Sequence, residues 1–281
     1  ILELDAASNN SVDDIRNLID QVRIAPQVGS HKVFIIDEVH MLSTSAFNAF
    51  LKTLEEPPEH AIFILATTEK HKILPTILSR CQIFDFHRIQ IKDIVSHLKG
   101  IAEKEGIQYD EKALHIIAQK ADGALRDALS IFDQIVSFSG NNVSYEAVLE
   151  NLNVLDFDYY FKLVEYAVNS NISEALLLYD EILRKGFDGS QFLIGLSEHL
   201  RDLLVCLDER TVSLLDVPDE IRERYLEQAR SINSEFAIVA LDLIRDTEVG
   251  YRGSQHKRLT VELCLMKFCS IVHSQKKEAV S

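Results

Sequence analysis

Hydrophobic and polar positions alternate between two periods in the first 87 residues. Short apolar runs rich in β-branched residues occur at Val33–Ile36 and Ala61–Ala66, and Leu2–Leu4 resembles the end of another. Runs this short favour buried strands over helices. Between them, apolar residues recur at helical spacing over 11–23 and 43–55. Strands that alternate with helices are typical of a parallel sheet with crossover helices, so the pattern predicts an α/β unit over residues 1–87.

Local signals predict where these elements begin and end. Ser11 fits the N-cap of a helix that runs to about Arg23, with Asp13 and Asp14 favourably placed in its first turn. The Pro57-Pro58 pair closes the second helix. The remaining predicted limits are a start of the second helix at Ser43 or Ser45, its last residue at Glu55, a helical turn at Ile73–Leu78 and a strand at Gln82–Phe86.

Strand signals stop at about Arg88, and amphipathic helices follow. The first four are predicted at 91–105, 111–121, 125–137 and 145–151. Longer ones are predicted at 157–169, 172–185, 190–207, 218–231, 234–249 and 256–272. We expect a small helical domain at 88–153, a larger helical domain at 154–273, and a polar, frayed tail at 274–281.

Composition excludes several classes of protein. The sequence has neither an apolar run long enough to span a membrane nor a signal peptide. A net charge of −15 argues against wrapping nucleic acid over the whole surface, although it permits a local DNA site. The cysteines, Cys81, Cys206, Cys264 and Cys269, form no C-x-x-C pair, so we expect reduced, mostly buried thiols in a cytoplasmic protein.

Two adjacent carboxylates, Asp37 and Glu38, directly follow the apolar run Val33–Ile36. Open α/β sheets place ligand chemistry at the carboxyl ends of their strands. Because Mg²⁺ prefers oxygen ligands and often bridges to phosphate, we expect Asp37 to bind Mg²⁺ together with nucleotide. Glu38 is then free to activate a water molecule. This is the Walker B arrangement of a P-loop ATPase, and a solvated pair of acids is the simpler alternative.

The usual partner of a Walker B pair, the phosphate-binding glycine loop, does not occur in the sequence. No two of the 10 glycines have the spacing G-x-x-x-x-G followed by Lys and Ser or Thr. The chain also begins without Met, at Ile1. We therefore expect a fragment whose N-terminal portion has been cut away. The alternative is a degenerate ATPase subunit that never had the loop.

Three further segments carry side chains that suit nucleotide chemistry. Thr68, with Thr67 as second choice, follows the strand at 61–66 and can hold the attacking water and sense the γ-phosphate. Arg80 follows a short helical turn, and its planar guanidinium can reach a neighbouring subunit's γ-phosphate in a ring. Arg126, in the first turn of a helix, can contact bound nucleotide. Taken singly, each also fits turn chemistry or pairing with a surface acid.

Together these segments resemble one family, the bacterial DNA polymerase III gamma/tau subunits, which are the ATPase subunits of the replicative clamp loader. The specific similarity covers about residues 1–135, and beyond it only helical pattern and domain order agree. The segments that carry the resemblance are Glu3–Asn10 with Val12–Arg16, Ile36–Leu42, Ala46–Pro58, Ala66–Thr68, Pro75–Cys81 and Gly123–Ser130.

The resemblance implies a fold and roles for single residues. The implied fold is a partial α/β P-loop AAA+ module with a parallel sheet, followed by a small helical lid and an all-α collar domain. Arg80 resembles the trans-acting arginine of a Ser-Arg-Cys motif, Thr68 the first sensor, and Arg126 the second sensor in the lid. ATP and Mg²⁺ are the implied cofactors, with zinc only in a cysteine-ligated module upstream of Ile1.

The resemblance also implies partners. The family opens the sliding clamp with ATP binding and releases it onto primer–template DNA when ATP is hydrolysed. Its members assemble into a ring with delta, delta-prime and other gamma/tau copies, in the cytoplasm and without a membrane. Ser8, Asn9, Asn10 and Ser11 stand at a helix N-terminus and are candidate DNA-backbone contacts. Simple helix capping is the alternative for these residues.

Alternatives remain open for the role of one apolar helix face and for the kind of subunit to which the chain belongs. Phe47, Phe50, Leu51 and Leu54 form a face that we expect to pack on the sheet, with contact to the clamp as the alternative. A non-hydrolysing, delta-prime-like subunit of the same ring is the first alternative function, against which the intact Asp-Glu pair argues. A branch-migration or replication-initiator ATPase is the second, against which the Glu-Glu-Pro-Pro and Ser-Arg-Cys motifs argue.

Overall fold

A computed structural model of the protein describes residues 1–272. They belong to two compact units, one of residues 1–87 and one that begins at Arg88. The described chain is largely helical, with a small parallel sheet in the first unit.

The sheet of the first unit contains β1 (Leu2–Asp5), β2 (Lys32–Asp37) and β3 (Ala61–Leu65) in the order β1-β2-β3. Both neighbouring pairs are parallel, as the strand and helix pattern predicted. The central strand, β2, is the most buried of the three, and Phe34 and Ile36 on it are fully buried. This register aligns the carboxyl ends of the strands, since Asp5 of β1 lies opposite Asp37 of β2.

The crossover helices are α1 (Val12–Arg23) and α2 (Thr44–Glu55), and capping side chains define their starts. Ser11 caps α1, and Ser43, the first of the two predicted starts, caps α2 by accepting a hydrogen bond from the amide of Ala46. The apolar face of α2 packs on the sheet as predicted. Phe47 and Phe50 are buried. The rings of Phe50 and Phe63 pack edge to face, with their centroids 5.2 Å apart.

The predicted strand at 82–86 is wrong. After α3 (Pro75–Leu78), residues 82–90 form neither helix nor strand, and Phe84 and Phe86 are 69% and 95% exposed. The segment has the composition of a strand, but a strand needs a hydrogen-bonding neighbour, and no described strand pairs with these residues. Three short 3₁₀ turns among the described residues were not predicted: Val39–Met41 and Lys70–Lys72 in the first unit and Val212–Leu214 in the second.

The second unit is built from ten helices among the described residues. The predicted helices all form, with ends that differ from the prediction by up to four residues. They are α4 (Ile91–Glu105), α5 (Glu111–Lys120), α6 (Leu125–Ser139), α7 (Tyr145–Leu152), α8 (Phe157–Val168), α9 (Ile172–Arg184), α10 (Gly189–Val205), α11 (Asp219–Ala229), α12 (Ser234–Gly253) and α13 (Lys257–Phe268).

The sequence pattern suggested that strands end at about residue 88, but the structure has further strands after this position. Two strands of two residues each, β4 (Gln108–Tyr109) and β5 (Asn142–Val143), pair in parallel and tie the starts of α5 and α7 together. A two-residue strand is too short to leave a periodic signal in the sequence.

Two apolar cores organise the second unit. One joins α4 to α7 through buried residues between Ile94 and Val148, and the other joins α8 to α13 through buried residues between Leu155 and Ile271. The predicted tail at 274–281 lies outside the described residues. Within residues 1–272, none of the helices combines the length and the apolar composition that a membrane span requires.

The cysteines are free thiols, as predicted. Three of them, Cys206, Cys264 and Cys269, are buried, and Cys81 is half-buried. Burial raises the pKa of each thiol, to about 11 at Cys269. These thiols are therefore poorly reactive packing residues.

Candidate functional site

The carboxyl ends of the three strands meet at one edge of the sheet, where the predicted carboxylates lie. The amide of Ala6 donates to the carbonyl of Asp37 at 3.0 Å, which continues the pairing of β1 with β2. On the other side, the amide of Ala66 donates to the carbonyl of Ile36, and the amide of Val39 donates to the carbonyl of Ala66. These bonds fix the chain on both sides of the Asp37-Glu38 pair.

Asp37 and Glu38 differ in their surroundings. Asp37 is exposed, and its Oδ1 accepts a hydrogen bond from the Glu38 amide at 2.9 Å. Its Oδ2 has no hydrogen-bond partner among the described residues. Glu38 has left-handed backbone angles (φ 47°, ψ 43°), which cost a non-glycine residue about 1–3 kcal/mol. The backbone thus turns sharply at Glu38, directly after Asp37.

Thr68 lies against Glu38, as expected for the first-choice threonine. Its hydroxyl donates to Glu38 Oε2 at 3.1 Å across 30 residues of sequence. Thr67 contacts other groups: its Oγ1 accepts from the Glu69 amide at 3.0 Å and lies 3.0 Å from His40 Nδ1. The structure therefore brings Asp37, Glu38 and Thr68 together at one edge.

His40 was not singled out from the sequence, yet it contacts more of this edge than any predicted residue. Its Nδ1 lies 3.2 Å from Glu38 Oε2, and its Nε2 lies 3.0 Å from Glu69 Oε2. Only 8% of its side chain is exposed. The one available signal was its position two residues after Glu38, which does not reveal its partners on the loop after β3.

Asp5 and Glu69 were also missed. Asp5 accepts from the Ser8 hydroxyl and the Ala7 amide, both at 2.8 Å, and these bonds lower the pKa of its carboxyl. Glu69 pairs with Lys72 at 2.6 Å, a contact that lowers the pKa of Glu69. Both acids organise loops at the carboxyl edge of the sheet.

Arg80 does not contact the Glu38 group. Its guanidinium pairs with Glu55, the last residue of α2, at 2.8 Å, and also contacts the carbonyl of Thr76. The side chain is 35% exposed, so the guanidinium remains accessible from outside the unit. The Glu-Glu-Pro-Pro motif thus has a structural role toward the Ser-Arg-Cys motif that was not predicted.

Arg126 belongs to the second unit, in the first turn of α6. It is exposed and forms no ion pair with any residue in the described part of the chain. Gly123 precedes this helix with φ of 81°, and a Cβ there would collide with Cβ of Arg88 at 2.6 Å. Glycine is therefore required where the chain turns into α6.

The candidate DNA contacts Ser8 to Ser11 form a loop between β1 and α1. The Ser8 hydroxyl and the Asn9 amide group both bond to Asp5. Ser11 and Asp14 form a complete capping box, which confirms the capping interpretation for Ser11. Asn10 is exposed, and the carbonyl of Asn10 accepts from Ser43.

The donor set at the edge fits Mg²⁺ bound with nucleotide rather than in a protein cage. Among residues 1–272, no group of three or more His, Cys, Asp or Glu side chains could hold a metal ion. Asp37 offers one exposed carboxylate with a free oxygen, and Mg²⁺ sites with nucleotide commonly use one or two carboxylates, with water and phosphate oxygens as the other ligands.

Two family models match the chain. Residues 4–90 match a family described as DNA polymerase III, delta subunit, and residues 93–141 match one described as DNA polymerase III clamp loader subunit, ATPase lid domain. The two descriptions cover consecutive parts of the chain, and the second matches α4 to α6.

Relatives align over most of the chain. It is 42% identical to DNA polymerase III subunit tau of Bacillus subtilis (strain 168), over 97% of this chain and 48% of that protein. Subunit tau of Escherichia coli (strain K12) is 44% identical over 69% of this chain and 30% of that protein. Subunit gamma/tau of Mycobacterium tuberculosis (strain ATCC 25618 / H37Rv) is 35% identical over 94% and 46%.

The structural similarity of the chain to solved protein structures is weak. A Bacillus subtilis DNA clamp loader delta protein superposes with a TM-score of 0.44 at 15% identity, over 95% of this chain and 85% of that one. The sequence relatives carry the assignment, and the chain spans about half the length or less of those named above. The chain belongs to the DNA polymerase III gamma/tau subunit family.

Proposed function

We propose that this chain is part of a clamp-loader ATPase subunit that uses ATP binding and hydrolysis to load the sliding clamp on primed DNA during replication. The observation that carries the proposal is the hydrogen bond from Thr68 to Glu38 at 3.1 Å, beside the exposed carboxylate of Asp37. A carboxylate that can activate water and a hydroxyl that can orient it are what phosphoryl transfer to water requires.

We assign a role to each group at the edge. Asp37 holds Mg²⁺ together with the phosphates, and the ion supplies charge stabilisation there when bound. Glu38 accepts a proton from the attacking water, and Thr68 orients that water against the γ-phosphate. Residues 1–281 contain no Walker A motif, and the proposal assigns the phosphate-binding loop to another part of the full-length protein, in keeping with the greater length of the relatives named above. Any zinc-binding module also belongs elsewhere in the whole protein.

The two arginines act from outside this edge in the proposal. Arg80 stabilises in trans the γ-phosphate of nucleotide bound to the neighbouring subunit. This role requires its guanidinium either to dissociate from Glu55 or to contact Glu55 and the phosphate at the same time. Arg126, unpaired among described residues, contacts nucleotide from the helical lid of an AAA+ module at 88–153. The helices from residue 154 onward form the collar that joins the subunits.

The proposed partners are the delta and delta-prime subunits, further gamma/tau copies, the clamp and primer–template DNA, all in the cytoplasm. Exposed apolar side chains on the collar helices support subunit contacts there, among them Leu177, Leu259 and Leu263, which are 48–63% exposed. Residues 8–11 remain the candidate DNA-backbone contact. The net charge of −15 requires such contact to be local.

A delta-prime-like subunit that does not hydrolyse ATP is the second candidate. The match of residues 4–90 to a family described as a delta subunit favours it. The ordered Glu38–Thr68 contact favours the hydrolysing subunit, because a structural subunit has no need of it.

Substitution of Glu38 by Gln in the full-length protein tests the proposal. We expect ATP binding to be retained and hydrolysis to fall by about 10²–10⁴-fold, the range for loss of a general base. Glu59→Gln, a change at an exposed acid before β3, is the matched control and should leave turnover unchanged. Unchanged turnover in Glu38→Gln would remove Glu38 from the mechanism, and no turnover in the wild-type ring would favour the delta-prime-like subunit.

A further inference from the structure

The imidazole of His40 connects two carboxylates and a hydroxyl at the edge of the sheet. Nδ1 faces Glu38 Oε2 at 3.2 Å and Thr67 Oγ1 at 3.0 Å, and Nε2 faces Glu69 Oε2 at 3.0 Å. With 8% of its side chain exposed, the ring meets protein groups at both nitrogens instead of solvent. It is the only histidine among residues 1–272 with a carboxylate oxygen within 3.5 Å of each ring nitrogen.

The backbone around His40 is as constrained as its ring. The left-handed conformation of Glu38 starts the 3₁₀ turn Val39–Met41, closed by a bond from the Met41 amide to the Glu38 carbonyl at 2.8 Å. Val39 is buried and bonded to Ala66 of the neighbouring strand end. The turn therefore holds the His40 ring between Glu38 and the loop after β3.

The partners of His40 are themselves held in place. Thr67 Oγ1 accepts from the Glu69 amide at 3.0 Å, and Glu69 pairs with Lys72 at 2.6 Å. The Glu38 side chain, in contrast, has two partners among residues 1–272: the Thr68 hydroxyl, which donates a hydrogen bond to it, and His40 Nδ1 at 3.2 Å. Removal of His40 would leave the hydroxyl of Thr68, an exposed residue, as the remaining partner of the Glu38 carboxylate among the described residues.

We propose that His40 is a positioning residue for Glu38: its Nδ1 side fixes the carboxylate that activates water, and its Nε2 side ties that position to Glu69 and the loop after β3. The inference rests on the proposed function of this edge. A general base works only if its oxygen stays within hydrogen-bond reach of the water it activates. Fixing the side chain by a third group reduces the orientations it samples outside that geometry.

Two substitutions, His40→Asn and His40→Gln, distinguish the positioning role of His40 from a role in packing alone. The amide nitrogen of Asn lies near the place of Nδ1 and can still donate to Glu38. The amide nitrogen of Gln lies near the place of Nε2 and can donate only toward Glu69. Both substitutions remove the imidazole ring and keep a polar amide group. They form a matched pair that differs in which carboxylate, Glu38 or Glu69, accepts a hydrogen bond from that amide.

The experiment measures clamp- and DNA-stimulated ATP turnover of the assembled loader built with the full-length protein, together with ATP affinity and melting temperature. We expect His40→Ala to lower kcat by about 10–100-fold, the range for loss of an outer group that orients a functional ligand. ATP affinity should not change. His40→Asn should recover most of kcat, and His40→Gln should stay near His40→Ala.

His71→Asn is the control, because His71 is 76% exposed and lies 3.9 Å from the other oxygen of Glu69. It should turn over like wild type. Equal recovery by Gln and Asn at equal melting temperature, or wild-type kcat in His40→Ala, would overturn the positioning role alone. Absence of stimulated turnover in the wild-type loader, or normal turnover in Glu38→Gln, would instead overturn the proposed function and the inference with it.

Discussion

Single residues at the edge of the sheet could be predicted as site residues when they directly follow a strand in the sequence. Asp37 and Glu38 follow a buried strand, and Thr68 follows the next one, so strand pairing alone brings them together. His40 and Glu55 were not predictable in this way. Their roles depend on contacts across 25 or more residues, to Thr67 and to Arg80, and no local pattern encodes them.

Ser11 gives a residue-scale test of the capping box. We predict that Ser11→Ala lowers the free energy of unfolding by about 1 kcal/mol, because α1 loses the side chain that accepts from the Asp14 amide. Ser11→Asp and Ser11→Asn should keep most of the stability, since both can cap. Urea unfolding of the three variants measures the difference, and an Ala variant as stable as wild type would contradict the cap.

The same variants test DNA contact at the start of α1. If residues 8–11 contact the DNA backbone as proposed, Ser11→Asp should weaken binding of primer–template DNA by the assembled loader relative to Ser11→Asn. The reason is that Asp adds a negative charge near phosphate while both variants retain the cap. Equal affinities at several salt concentrations would remove Ser11 from the DNA interface.

Among elements, helices were better predicted than strands. Caps such as Ser11 and Ser43 and the 3.6-residue period are local, so helix positions follow from the sequence. Strands depend on neighbours. The 82–86 segment has strand composition but no described partner, whereas β4 and β5 pair despite having two residues each. Tertiary context therefore decided the strands that were predicted wrongly or missed.

Two helical glycines test packing at the element scale. A Cβ on Gly195 of α10 would overlap the ring and hydroxyl of Tyr160, which is itself packed against Phe192 and His199. We predict that Gly195→Ala destabilises the protein by about 1–3 kcal/mol through overpacking. Gly100 in α4 has open space, so Gly100→Ala should stabilise by about 0.5–1 kcal/mol. Urea unfolding compares them, and a stabilised Gly195→Ala would show that α10 and Tyr160 can separate without cost.

At the scale of the whole molecule, the unit boundary and the helical second part follow from where strand signals stop, near residue 88. The division of that part into two apolar cores follows from helix order along the chain. How subunits meet does not follow, because exposed apolar positions on helices such as α9 and α13 identify surfaces but not their occupants.

The larger of these cores contains a buried histidine that makes stability depend on pH. His199 lies between Tyr225 and Gln228, and burial lowers its pKa to about 3. Below pH 6.5 the unfolded chain therefore binds a proton that the folded chain does not, so stability falls as pH falls. We predict that between about pH 6 and 4 wild type loses about 1.4 kcal/mol per pH unit more than His199→Gln. Parallel pH profiles of the two proteins in urea unfolding would contradict this.

The most direct test of the central claim is ATP turnover by the reconstituted ring, stimulated by clamp and primed DNA, with wild-type subunits or with Arg80→Ala. We predict a loss of about 10³-fold or more in the mutant ring, with ATP affinity of the isolated subunit unchanged, because the proposed function assigns Arg80 to the γ-phosphate of a neighbouring subunit. Arg23→Ala, at an exposed arginine of α1, should behave like wild type. Normal stimulated turnover in the Arg80→Ala ring would contradict the account.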